Sequence, residues 1–318
     1  MALPTSFNTD VLASTISHWI TSRGFVDNIF STNALFYKIK ERSQRDGMIA
    51  GGHNIVIPLE YAKNTTSGSY SGYDLLDISA SQPFTAAEFA WKQLFVSVSI
   101  SGLEQLQNAG SEAQLNILEG RLNNARRSMI STFDSQLYLD GTGNGSKDIL
   151  GIGLGIDSAG TYGGINRTNE TWWSSKEAAA GGVLTTAQMQ DMYNQCQIAS
   201  PKERVDLILT TQVVHEGYED LLEPDKRFQD SEMASAGFEN LKYKGAPVIW
   251  DSDATAQIMW FVNTDYFILA THTQRNFVAT PPKTPINQDA DVMQILWAGN
   301  LCQTNCKKSG KVTGITNS

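Results

Sequence analysis

The stretch that most constrains this chain runs from Ser111 to Leu139, SEAQLNILEGRLNNARRSMISTFDSQLYL. Leu115, Leu118, Leu122, Ala125, Met129, Phe133 and Leu137 recur in it every three or four residues. That spacing lays one apolar stripe along an α-helix. Ser111 with Gln114 three positions on forms a capping box at the start, and the glycine-rich run DGTGNGSK from Asp140 marks the stop. At 1.5 Å per residue the helix would be roughly 40 Å long, beyond the usual three or four turns. It reads as a strut.

The stripe has interruptions. Gly120 inside the helix costs about 1 kcal/mol against Ala, so it permits either a close approach or a soft spot. Arg126 projects from the apolar side and Glu119 from its edge. Two turns apart, they cannot pair within the helix. Their stems are expected to lie along the stripe with the charges in water, the alternative being contact with another subunit.

Before the helix, Asp10 to Thr21 and Asp27 to Arg42 are helical candidates in a short arm. From Gly51 the period changes to two: Ile55, Ile57, Leu59 and Tyr61 alternate, with Pro58 marking an edge strand. Lys63 to Ser81 reads as largely polar, with no regular apolar face, and opens rich in Ser, Gly and Tyr as NTTSGSYSGY. A second alternation follows in Phe89 and Trp91, then Leu94, Val96, Val98 and Ile100. Together these predict a long hairpin with a broad tip, which must lie on something to be stable.

After the helix, Trp172 and Trp173 stand in a polar loop, either folded into a core or used as contact anchors. Thr185 and Gln188 form a capping box opening a helix to Gln197, with Met189, Met192 and Cys196 on its buried face. Val205 to Leu209 reads as a strand and Thr211 to Leu222 as a helix. Short strands follow at Pro247 to Trp250, Ala256 to Val262 and Tyr266 to Ala270. Pro281, Pro282 and Pro285 then precede a strand at Val292 to Trp297 and a pairing segment at Lys311 to Ile315. Elements in this order predict an α+β fold rather than regular βαβ alternation.

A chain of 318 residues with 41% hydrophobic and 18% charged content can bury a sizeable core. No run reaches the eighteen or so apolar residues of a membrane span. The first residues lack a basic segment followed by an apolar one, so a secretory signal is not expected and the cytoplasm is the expected place of synthesis. Three cysteines, Cys196, Cys302 and Cys306, do not make a disulfide framework and read as structural thiols. The formal charge of -9, with Lys and Arg scattered, opposes sequence-specific nucleic acid binding.

No catalytic, cofactor or metal constellation stands. In GTGNGSK from Gly141, no Gly directly precedes Lys147 and the helix comes before the loop, so phosphate-loop mechanics fail. Gly151, Gly153 and Gly155 lack the strand before and the helix after, and both runs read as flexible turns. His18, His53, His215 and His272 lie far apart. Asp251 and Asp253 form a conceivable acid/base pair for a hydrolase, but in DSDA after a strand they read as turn caps. Asn64, Asn144, Asn166 and Asn169 begin glycosylation sequons that have no consequence without secretion.

An arm, a long two-stranded loop, one long helix and a later α/β lobe resemble the major capsid protein of tailed bacteriophages, the Hong Kong phage capsid fold. LKYKGAPVIWDSDA from Leu241, LILTTQVVHEGYEDLL from Leu207, and QILWAGNLCQTN followed by KVTGI are similar to that family's lobe strands and helix. The resemblance implies an arm at 1–45, an extended hairpin loop with its base strands at 46–100, and the spine helix of a peripheral lobe at 101–145. It further implies an axial lobe at 146–250 and return strands of both lobes at 251–318. It implies a non-enzymatic subunit, without cofactor or metal, whose copies meet as pentamers and hexamers in an icosahedral head around double-stranded DNA. Its place would be the virion, after assembly in the host bacterial cytoplasm, with a portal and, in some relatives, a decoration protein. Because the arm begins almost at Met1, a separate scaffolding protein is expected. Some members crosslink a hairpin lysine to an asparagine. Lys63 lies near the hairpin, but nothing marks a glutamate to catalyse that bond. An encapsulin-type compartment is the alternative with the same fold.

Overall fold

A computed structural model describes residues 34–39, 47–107, 117–197, 203–222 and 241–316. Of the two arm helices expected, only 34–39 falls within that range. It is helical, with Leu35 and Ile39 buried. The Ser111 and Gln114 capping box lies outside the described residues, and so does the side chain of Glu119. The chain divides into two compact units. One holds Leu94–Phe133 with Arg275–Trp297; the other holds Asn33–Gln93, Asp134–Gln274 and Ala298–Ser318.

The long helix spans Ile117–Tyr138, and its residues up to Phe133 belong to the first unit. There the described part of the apolar stripe is realised, with Ala125, Met129 and Phe133 buried; Leu115 and the side chain of Leu118 lie outside the described residues. Phe133 meets the ring of Trp297 edge-on at 4.9 Å and that of Phe277 at 6.1 Å, an arrangement worth more than its buried area alone. Arg126 is exposed, so its charge reaches water as expected. The strand Lys92–Ser101 pairs with the long strand Ala290–Gln303. This corrects the expected hairpin, because the alternation of Leu94, Val96, Val98 and Ile100 serves another sheet and does not return to Ile55.

The second unit is organised on a six-stranded sheet in the order Lys176–Gly182, Gly310–Ile315, Met259–Val262, Leu207–Thr210, Ala246–Trp250, Leu241–Tyr243. The helices Thr186–Cys196 and Gln212–Leu221 pack on it. The first starts with both halves of its capping box: Gln188 N–H donates to Thr185 Oγ1 at 3.3 Å and Thr185 N–H to Gln188 Oε1 at 3.0 Å. Its buried face carries Met189, Met192 and Cys196, packed with Ile208, Val248, Phe261 and Val312. Gly310 is required there, since a Cβ on it would stand 2.4 Å from Met192 Sδ and 2.9 Å from Cys196 Sγ.

A second core in the same unit receives the true hairpin, Ile55–Glu60 paired antiparallel with Phe84–Phe89. Ile55, Leu59, Ala87 and Phe89 point inward onto Tyr162, Trp173, Ala270, Cys302 and Cys306. Glu88 N–H donates to Gly163 O at 2.9 Å and fixes the outer strand. The hairpin base therefore lies on its own chain. Pro58 is tolerated because, among the described residues, this sheet has two strands, both of them edges.

Candidate functional site

Asp251 and Asp253 sit where the strand Ala246–Trp250 ends. Asp251 is buried, its Oδ1 accepting the Asp253 N–H at 3.0 Å and its Oδ2 the Tyr138 hydroxyl at 2.8 Å. Asp253 Oδ1 accepts from Ser135 Oγ at 3.2 Å. With both oxygens of Asp251 engaged, the arrangement is the turn cap that DSDA indicates. Asp134, not singled out from the sequence, joins them. It is 2% exposed, and its Oδ1 has no hydrogen-bond partner. Burial, then the charges of Asp251 and Asp253, push its carboxyl up to about 8, and burial raises Asp251 as well.

The other residues do not converge. His53 is exposed, His215 is buried 3.6 Å from Glu219, and His272 stands edge-on to Trp91 at 5.7 Å; His18 lies outside the described residues. Among the described residues, no group of three His, Cys, Asp or Glu is placed to hold a metal ion. The three cysteines are free and buried, and burial pushes the Cys196 thiol up to about 12 and Cys306 up to about 11. Arg167 is buried too, donating to the carbonyls of Leu154 and Gly155 at 2.7 and 2.6 Å beneath the Tyr162 ring.

The glycine runs divide. Gly141 and Gly145 both have positive φ, but only Gly145 lies in an exposed turn as expected; Gly141 is buried, and a Cβ on it would stand 2.7 Å from Leu150 Cδ2. Gly151 and Gly153 are corrections. A Cβ at Gly151 would stand 2.4 Å from the carbonyls of Leu137 and Leu139, and one at Gly153 would stand 2.7 Å from that of Tyr138. They are close-approach glycines under the end of the long helix, not flexible turns. The tryptophan pair also divides. Trp173 is buried and donates to Tyr162 O at 3.0 Å, while half-buried Trp172 stacks on Tyr61 at 5.4 Å.

What remains is a surface. Between Glu60 and Phe84 the hairpin tip forms no helix or strand; Tyr61 N–H donates across its neck to Pro83 O at 2.9 Å, and beyond that neck the bonds are local, such as Ser71 N–H to Asp74 Oδ2 at 2.8 Å. Tyr73 and Leu75 are fully exposed, Ile78 is 94% exposed, and Tyr70 and Leu76 are mostly so. Lys63 is exposed beside them. Val56 and Phe84 on the outer face of the hairpin are uncovered as well. A contiguous apolar segment left bare in this way marks an interaction site. The leucine pair between Asp74 and Asp77 was its signal in the sequence, hidden by the polar residues before it.

No protein-family model and no curated protein matches the sequence. Solved structures do match. The capsid subunit of cyanophage A-1(L) aligns over 93% of this chain and 96% of its own, with TM-score 0.67 and 16% identity. This is the Hong Kong phage capsid fold. The capsid of a native GTA particle aligns over 98% of this chain and all of its own, with TM-score 0.65 and 11% identity. The SrpI encapsulin of Synechococcus elongatus aligns over 99% and 96%, with TM-score 0.59 and 8% identity. The α+β class expected from element order agrees with these neighbours.

Proposed function

We propose that this chain is a major capsid protein, a structural subunit that self-assembles into the icosahedral head of a tailed bacteriophage around double-stranded DNA. One observation carries the reading: in a chain with a capsid fold, the hairpin base is packed on its own core while its apolar tip, Tyr70 to Ile78, is bare. A neighbouring copy is the natural cover for such a tip, repeated around closed symmetry. In this reading 1–45 is the arm, 46–100 the hairpin loop with its base strands, and 101–145 the peripheral spine. Residues 146–250 form the axial lobe and 251–318 the return strands. Pentamers and hexamers of the chain, a separate scaffolding protein and a portal are its partners, with assembly in the host cytoplasm and residence in the virion. The formal charge of -9 suits a wall over which packed DNA slides without sequence-specific contact.

Electron microscopy of the purified chain, alone and with its scaffold, tests this reading. Closed shells of uniform diameter are expected, and a chain that stays monomeric under both conditions overturns it. The likeness to an encapsulin favours a second reading, a cargo compartment. Shells isolated from the native host with protein cargo and no DNA would select it.

A further inference from the structure

In the last turn of the long helix Asp134, Gln136, Leu137 and Tyr138 are all buried. Gln136 is accounted for, giving Nε2 to Asp148 Oδ1 at 3.1 Å and accepting the Ile149 N–H at 3.3 Å. Tyr138 is accounted for by Asp251, and Ser135 reaches Asp253. Asp134 is the exception, with an oxygen that no donor satisfies. The charges acting on it come from Asp251 and Asp253 across the turn, both of its own sign. A buried carboxylate with one oxygen lacking a donor and two like charges nearby is costly, and a carboxylic acid in the same place is less so.

We infer that Asp134, Asp251, Asp253 and Tyr138 form a proton-held latch, which fastens the last turn of the helix to the turn after the strand Ala246–Trp250 while Asp134 is protonated and loosens as pH rises. The direction follows from linkage. Once the turn opens, Asp134 ionises near pH 4, whereas in place it holds its proton to about pH 8. The closed form therefore binds the extra proton, and its advantage is full at low pH and shrinks as pH rises from about 4 to about 8. Above that range the curve is flat. The latch belongs to the subunit whatever the subunit builds.

Hydrogen exchange of the amides of Ser135 to Tyr138, corrected for intrinsic rates, reads the latch in the purified full chain. Protection is expected to fall by up to about tenfold per pH unit between pH 5 and pH 8, the limit for one proton. In Asp134→Asn, which keeps the shape without the charge, only the slope belonging to Asp251 should remain. An unchanged slope in that variant overturns the proposal. A second measurement needs no variant: the infrared carbonyl band of a protonated carboxylic acid should persist in the wild type at pH 6.5. Its absence equally overturns the proposal.

Discussion

Arg121 holds Glu104 by two parallel hydrogen bonds, Nη1 to Oε2 at 2.9 Å and Nη2 to Oε1 at 2.7 Å. Nη1 also donates to Ser99 O at 2.9 Å, so one guanidinium joins the long helix to the end of the strand Lys92–Ser101 and to the short helix Gly102–Gln107. The bidentate geometry makes this stronger than an ordinary surface pair.

The Arg121 hydrogen bonds, ahead of the smaller contributions from Ser101, hold the Glu104 carboxyl below its usual value of 4.5. A depressed acid contributes stability that is full above the unfolded value and is lost as pH falls through the folded one. Glu104→Gln should cost about 1–2 kcal/mol at pH 7. In urea unfolding that gap should narrow below about pH 4. An equal gap at pH 7 and pH 3 would assign the loss to packing instead.

Gly310→Ala should destabilise the second unit by about 1–3 kcal/mol through overpacking. The added methyl meets the sulfurs of Met192 and Cys196 and also the Lys176 carbonyl at 3.0 Å. Met192→Ala opens a cavity of its own, so the double variant should lose less in thermal unfolding than the two single losses added together. Simple additivity would point to the carbonyl as the obstacle.

Thr185→Ala removes the acceptor for the Gln188 N–H and should cost about 0.5–2 kcal/mol, whereas Thr185→Ser should be near neutral. Equal losses from both substitutions, measured by chemical denaturation, would contradict the cap assignment.

That helix was legible because its signals are local: the cap at Thr185 and Gln188 and the stripe through Met189, Met192 and Cys196 fall within about a dozen residues of one another. The partner of Lys92–Ser101 was not, since the alternation of Leu94 to Ile100 states which face is buried and says nothing of which distant strand lies alongside. Gly151 and Gly153 were misread for a related reason. A glycine demanded by a neighbouring backbone looks the same in sequence as one demanded by a turn. Asp134 escaped because the stripe through Met129, Phe133 and Leu137 implies an exposed flank, and the last turn of this helix is covered on that flank too. The hairpin tip was placed correctly as irregular chain, but its apolar character emerges only when Tyr73, Leu75 and Ile78 are seen to have no core to enter.

Replacing Leu75, Leu76 and Ile78 together with Ser should leave the unfolding midpoint of the isolated subunit within about 0.5 kcal/mol of wild type, since these side chains touch no core. Shell yield by electron microscopy should collapse. Wild-type yield from the triple variant would remove the tip from the assembly interface.

In the six-stranded sheet, Gly310–Ile315 lies between Lys176–Gly182 and Met259–Val262. Strands that leave the ribosome early thus wait for one made much later. At about 5–20 residues per second, roughly 7 to 27 seconds separate the first of these strands from the one that joins it to the rest. During that interval the edge of Met259–Val262 is an unfilled slot of the right shape for the same strand from another nascent chain. The order of strands therefore leaves that slot open for as long as the intervening residues take to be made.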